Sequence, residues 1–347
     1  MKIVADNKIP FLNGVFEPHA EVVYLPGGEI AHEHIKDADC LLVRTRTRCN
    51  HELLQGSRIQ FIGTATIGFD HIDTQWCNEN NIVWTNAPGC NSGSVAQYIT
   101  SVLIEMAHRE SFDLRNKTLG IIGVGHVGKK VESRARQLGM KVILNDPPRE
   151  RTEGSSAFTA LDELLRNSDI ITIHVPLNRQ GTDKTANLVN QTFLEVLKPG
   201  AILINSSRGE VLNEDILLNW IQSPPTTSHP SLVTRHLSLI LDVWQNEPHI
   251  NQELLGLAAI ATPHIAGYSV DGKYNATKKM VEAVSKFFKL SMVSFPPLSR
   301  GGILVKPNGT PATYDIMADD RRLRESPETF EQQRNNYPPR WEFTDAE

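Results

Sequence analysis

At 347 residues the chain is long for a single hydrophobic core and is expected to divide into two or more domains. Its composition, 40% hydrophobic and 22% charged with 23 Gly and 20 Pro, is ordinary for a globular enzyme. A net charge of −5 argues against a dedicated nucleic-acid binder, and the apolar runs fall short of the ~20 residues that span a bilayer, so neither nucleic acid nor membrane is an expected partner.

The N-terminal "MKIVADNKIP" has too short an apolar run for a signal-peptide core. Short apolar runs follow, "MKIVAD", "EVVYLP", "CLLVRT", "IQFIGTA" and "NIVWTNAP", which read as strands of a first unit. His32 and His34 in "HEH" alternate on an extended or loop segment without nearby Cys and read as surface residues, not as metal ligands. "LLVRTRTRCN" sets Arg44, Arg46 and Arg48 at alternate positions, which would share one face of a strand. The four cysteines (Cys40, Cys49, Cys77 and Cys90) lack CxxC spacing, which suggests neither a zinc site nor a disulfide frame and makes a reducing cytoplasm the expected setting.

"NSGSVAQYITSVLIEMAHR" is a long amphipathic helix with Ser92 or Ser94 as its cap and Val95, Tyr98, Ile99, Val102 and Met106 on one side. A second series of strands comes next: "TLGIIGVG", "KVILND", "DIITIHVP", "AILINSS", "LSLILDVW" and "AAIATPH". They are continuously apolar and β-branched, as parallel strands buried on both faces must be. "SPPTTSHPS", from Ser223, is expected to be an exposed loop. From about Ser291 the chain turns polar and rich in Pro and Arg, so a separate C-terminal accessory segment is expected.

Chemistry concentrates in the second series. Gly123, Gly125 and Gly128 stand in GxGxxG spacing between an apolar strand and an amphipathic helix, and the next strand ends in Asp146. That pattern cradles a dinucleotide: the glycines admit a tight turn, a close pyrophosphate and a close helix, while the acid accepts hydrogen bonds from ribose hydroxyls. The carboxylate would repel a 2′-phosphate, so NAD is expected over NADP, although Arg149 and Arg151 lie just beyond it. His174 in "ITIHVPL" is expected to line the cofactor cleft. Arg208 in "INSSRGEV", Glu247 in "LDVWQNEP" and His264 in "TPHIAGY" follow successive strands, where ligands of open α/β sheets bind. A histidine titrates near working pH and suits a general base. An acid can orient the ring and stabilise its charged form, and an arginine offers a fixed fork to a carboxylate.

With these motifs in this order, the sequence resembles the D-2-hydroxyacid dehydrogenase family, whose Arg, Glu and His triad falls on Arg208, Glu247 and His264. "GTATIGFDHID", "NAPGCNS", "DVWQNEP" and "HIAGYSVDGK" are closest to members that oxidise a small phosphorylated 2-hydroxy acid. The resemblance implies two doubly wound, Rossmann-like parallel-sheet domains, the cofactor domain (93–264) inserted into a substrate domain (1–92 with 265–290), a C-terminal dimerisation segment (291–347) and a homodimer. It places Asp242, Ser206, Ser207 and Gly267 along the NAD, and Thr45, Thr66 and Tyr268 at the substrate. Arg44 and Arg46 are expected to hold the phosphate, with Arg334 or Arg340 of a partner subunit reaching it as well. The rival readings are a dehydrogenase for another 2-hydroxy acid and a non-catalytic nucleotide-sensing protein on the same fold.

Overall fold

The computed structural model describes residues 1–154, 156–222, 237–298 and 314–342. The expected loop beginning at Ser223 lies outside the described residues. The chain divides into two compact units, residues 1–91 with 269–311, and residues 92–268 with 312–347.

The first unit is built on β1 (Lys2–Asp6), β2 (Glu21–Leu25), β3 (Cys40–Val43), β4 (Phe61–Thr64) and β5 (Val83–Thr85). They form a parallel five-stranded sheet in the order β2-β1-β3-β4-β5. Central β3 and β4 are buried along their whole length, whereas edge strands β2 and β5 are partly exposed. The long helix Val270–Phe287 returns to this sheet, capped by Ser269, whose Oγ accepts the Gly272 N–H at 2.8 Å. Its Val281 and Val284 join Ile3, Leu42 and Phe61 in one core. Gly63 lets the helix approach, since a Cβ there would press on Met280 Sδ at 3.0 Å.

The second unit holds β6 (Thr118–Ile122), β7 (Lys141–Asn145), β8 (Ile170–Ile173), β9 (Ile202–Asn205), β10 (Ser238–Leu241) and β11 (Ile260–Ala261). This sheet is also parallel, in the order β11-β10-β9-β8-β6-β7. The strand order reverses at β6, with β7 on one side and β8 on the other, which opens a crevice at their carboxyl ends. Both units are therefore doubly wound α/β folds. The helix Ser92–Arg109 packs on the second sheet through Tyr98, Ile99, Val102 and Met106. Ser94 does not cap it; its Oγ donates to the Ala266 carbonyl at 2.9 Å, tying the helix to the loop after β11.

The tail departs from the expected separate appendage. Residues 314–342 belong to the second unit, with Ile316, Leu323 and Phe330 buried in its cores. The physical reason is the sheet edge. β11 is a short edge strand with unpaired backbone groups, and the tail helix Ile316–Glu325 covers it: Asp320 Oδ1 accepts the Ala261 N–H at 2.7 Å. Arg324 donates to the carbonyls of Leu255 and Ala258, both at 2.7 Å. Among the described residues no helix is long and apolar enough to cross a membrane.

Candidate active site

The carboxyl ends of β9, β10 and β11 position Arg208, Glu247 and His264 by local hydrogen bonding. Asn205, the last residue of β9, is fully buried and organises the turn after it. Its Oδ1 accepts the Ser207 N–H at 3.1 Å and hydroxyl at 2.8 Å, and its Nδ2 donates to the Arg208 carbonyl at 2.9 Å. Ser207 is thereby spent on its own turn. Arg208 is half-buried and extended, with Nη1 on the Ser207 carbonyl at 2.8 Å. Gly209 follows it because the backbone there meets the backbone of Trp244, where a Cβ would collide with the peptide. The β9 turn is thus packed directly on the turn that carries Glu247.

Asp242 closes β10 with a carboxylate that is 1% exposed. Its Oδ1 accepts from Thr262 Oγ1 at 2.7 Å and Ile265 N at 2.8 Å, and its Oδ2 from Ala266 N at 2.9 Å. Burial raises its pKa, opposed by the nearby His264 and by those bonds. The observed role of Asp242 is therefore to clamp the loop after β11. Arg340 completes that clamp by donating to the carbonyls of Ile265, at 3.2 Å, and Ala266, and to Ser94 Oγ. It is buried against Tyr314, with the guanidinium 4.4 Å from the ring centroid. Arg340 is consequently taken up inside its own chain, which corrects the expectation that it reaches a partner's phosphate.

Between these clamps His264 adopts φ +55°, a left-handed conformation that a non-glycine residue keeps only when its surroundings impose it. Its N–H donates to the Asp242 carbonyl at 2.7 Å. Its Nδ1 lies 2.7 Å from Glu247 Oε2, while Glu247 Oε1 accepts the Trp244 N–H at 3.0 Å. With Nδ1 committed to the carboxylate, Nε2 is the ring atom available for proton transfer. Burial works to raise the Glu247 pKa, but the His264 charge and hydrogen bond, the Trp244 N–H and the Arg334 guanidinium together hold it below the usual range. Tyr268 is half-buried near this pair, its ring centroid 6.0 Å from the Arg334 guanidinium. Arg334, expected to reach a partner's phosphate, instead lies in its own chain with Nη1 3.7 Å from Glu247 Oε2. The sequence showed no sign of this contact, of Thr262, or of the bond between the Tyr98 hydroxyl and Thr262 Oγ1 at 2.8 Å. These partners are distant in sequence, so no spacing could have revealed them.

The crevice between β6 and β8 fits a dinucleotide. Gly123 has φ +88°, and a Cβ there would also strike the His174 carbonyl at 2.6 Å. Gly128 sits on the Gly123 carbonyl with no room for a side chain, whereas Gly125, at the start of helix His126–Gln137, faces open space. That leaves a bare helix N-terminus of the kind that receives phosphates. Asp146 is half-buried and already accepts the Val124 N–H at 2.8 Å and the Arg149 N–H at 3.1 Å. Arg149 is engaged by Glu153 at 2.7 Å and the Val124 carbonyl at 2.7 Å, and Arg151 pairs with Asp183, so both are occupied by acids or backbone. Ser206 carries a buried hydroxyl without a partner among the described residues, a ready contact for the cofactor. Gly267 lies in the same loop as His264 and is half-exposed. His174 touches Thr172 Oγ1 at 3.0 Å, and burial pushes its pKa down to about 3, so it is neutral and unsuited to acid–base work.

In the first unit the chain leaves β3 at Val43, so Arg44, Arg46 and Arg48 lie in the turn beyond the strand and not along one strand face. Arg44 is half-buried with Nη1 3.4 Å from the Lys8 carbonyl, while Thr45 and Arg46 are exposed. Lys273, in the first turn of Val270–Phe287, has its pKa lowered by burial and then by the charge of Arg44. Thr66 Oγ1 lies 2.7 Å from Thr64 Oγ1 and donates to the Gly68 carbonyl at 2.8 Å. The Ala65 N–H is donated to the Val43 carbonyl at 3.0 Å. His32 and His34 are half-buried in a short helix, where His34 Nδ1 accepts the Ala31 N–H at 3.0 Å. Among the described residues no cluster of His, Cys, Asp or Glu could hold a metal ion.

Residues 96–266 match the family model of the D-isomer specific 2-hydroxyacid dehydrogenase NAD-binding domain. The chain is 45% identical over 348 residues to erythronate-4-phosphate dehydrogenase of Bacteroides fragilis, covering 99% of this chain and 97% of the relative. It is 39% identical over 360 residues to the Shigella boydii protein of the same name, covering 99% and 93%. Among solved structures, NAD+-bound 3-phosphoglycerate dehydrogenase from Entamoeba histolytica superposes with a TM-score of 0.67 at 27% identity, over 86% of this chain and 99% of that one. D-lactate dehydrogenase from Aquifex aeolicus, complexed with NAD and lactic acid, gives a TM-score of 0.61 at 26% identity, over 83% and 96%.

Proposed function

The chain belongs to the D-2-hydroxyacid dehydrogenase family as an NAD-dependent enzyme, and on that footing we propose that it oxidises 4-phospho-D-erythronate to 2-oxo-3-hydroxy-4-phosphobutanoate, a step toward pyridoxal 5′-phosphate. NAD, when bound, supplies the acceptor for the hydride that leaves C2. His264 Nε2 takes the proton of the C2 hydroxyl, and Glu247 steadies the charged ring through Nδ1. Arg208 engages the substrate carboxylate and the oxygen at C2 with its planar fork. Gly123, Gly125, Gly128 and Asp146 receive the dinucleotide, helped by Ser206 and Gly267. Asp242 and Ser207 serve that end of the cofactor by holding the loops they anchor. Thr45, Thr66 and Tyr268 contact the substrate, and Arg44 and Arg46 attract its phosphate. The influence of Arg44 on Lys273 supports a cationic environment there. The enzyme works as a homodimer in the cytoplasm.

The observation that carries this reading is the Nδ1–Oε2 pairing of His264 with Glu247 at 2.7 Å, on a chain that matches its relatives over nearly their full length. The test is formation of NADH, followed by absorbance, on erythronate 4-phosphate and 3-phosphoglycerate with a 2-oxo acid acceptor present. A kcat/KM at least tenfold higher on erythronate 4-phosphate is expected. Preference for 3-phosphoglycerate would reassign the substrate, and no turnover of any 2-hydroxy acid would favour a sensing protein.

A further inference from the structure

We propose that Arg334, carried by the C-terminal segment, is a positioning residue of the Glu247–His264 pair that keeps the imidazole ready to accept a proton at lower pH. Its Nη1 lies 3.7 Å from Glu247 Oε2, the same oxygen that receives His264 Nδ1 at 2.7 Å. The guanidinium is held there from several sides. Glu331 Oε2 is 3.3 Å from Nη1, and the rings of Phe330 and Tyr268 lie 5.9 and 6.0 Å from the guanidinium carbon. Its Nε is buried without a hydrogen-bond partner among the described residues.

The consequence follows from charge alone. His264 becomes a cation when it takes the substrate proton, and Glu247 stabilises that cation. A second, permanent cation on the same carboxylate oxygen opposes it and draws off part of the carboxylate's field. Arg334 therefore weakens the hold of the pair on a proton. The other charges around the pair do not substitute for it. Asp242 is buried behind the His264 loop, Glu214 holds the Gln245 N–H at 2.8 Å, Glu331 pairs with Arg334 itself, Arg208 stands on the β9 turn, and Tyr268 meets the Arg334 guanidinium with its ring face.

The proposal rests on the dehydrogenase reading, and its test separates the two. The full-length protein and its Arg334→Met and Arg334→Lys variants are examined by NMR titration of the His264 ring, assigned with His264→Asn, and by the pH profile of kcat/KM. Met keeps the apolar stem against Phe330 and Tyr268; Lys keeps the charge. In Arg334→Met the ring's midpoint and the acidic limb of the profile are expected to move up by about one pH unit, with Arg334→Lys staying near wild type. Equal behaviour of Met and Lys, or an unmoved midpoint in Met, would overturn the role of Arg334. The ring titration needs no turnover, so a wild-type protein inactive on every 2-hydroxy acid would instead defeat the functional reading.

Discussion

At the scale of single residues, the site separates groups that titrate in use from groups locked out of titration. His264, as the proposed base, belongs to the first class. His264→Ala should lower kcat by a factor of about 10²–10⁴, the usual worth of a general base, and leave the NAD dissociation constant within about twofold. A loss below tenfold would remove His264 from that role. Arg208→Lys should be comparably severe, because a point charge cannot reproduce the guanidinium fork; near-normal turnover would make Arg208 structural. His174 is in the second class, with a folded-state pKa pushed down to about 3 by burial against an ordinary value of 6.5. Between those values the unfolded chain binds the extra proton, so stability rises with pH across that window and is lost as pH falls from about 6.5 toward 3. His174→Gln should therefore narrow the gap in urea midpoint between pH 7 and pH 4.5. An unchanged gap would mean that His174 is not what acid attacks.

At the scale of elements, the strand–turn–helix proposed to receive NAD distinguishes packing glycines from glycines that face open space. Gly128 touches the Gly123 carbonyl, whereas nothing lies within 4 Å of a Cβ built on Gly125. Gly128→Ala should accordingly lower the melting temperature of the protein without ligand. Gly125→Ala should leave it nearly unchanged and weaken NAD binding roughly tenfold, because the added methyl intrudes where the pyrophosphate approaches. The reverse pattern would show that the turn faces the other way. This element was legible in the sequence because each part has a local physical demand: an apolar strand, glycines at fixed offsets, an acid closing the next strand. The arginines after β3 were not read correctly, because alternation predicts a shared face only while the chain stays extended, and β3 stops at Val43. Nothing in Arg-Thr-Arg announces that the strand ends one residue earlier.

At the scale of the whole molecule, the division into two doubly wound units was visible as two runs of buried parallel strands, and the position of the tail was not. Its buried apolar residues, Ile316, Leu323 and Phe330, recur every seven residues, two helical turns apart, but none has an apolar partner at i+3 or i+4 to make a stripe among the charged and polar residues. What recruits the segment is an edge strand, β11, and a buried Asp242 loop, features that exist only once the second sheet has formed. The described part of the tail then belongs to the second unit's own core. Burying each of those side chains contributes about 1.5–3 kcal/mol, and Asp320, Arg324 and Arg340 satisfy backbone groups that would otherwise stay unpaired. Together these rival the ~5–15 kcal/mol by which a folded protein is stable at all. Truncation after residue 313 should therefore lower the thermal midpoint by at least about 10 °C and abolish NAD binding, at protein concentrations where the full chain is either dimer or monomer. If the truncated protein melts like the full chain and merely dissociates, the tail serves assembly alone, and its packing on the second unit is incidental to the active site.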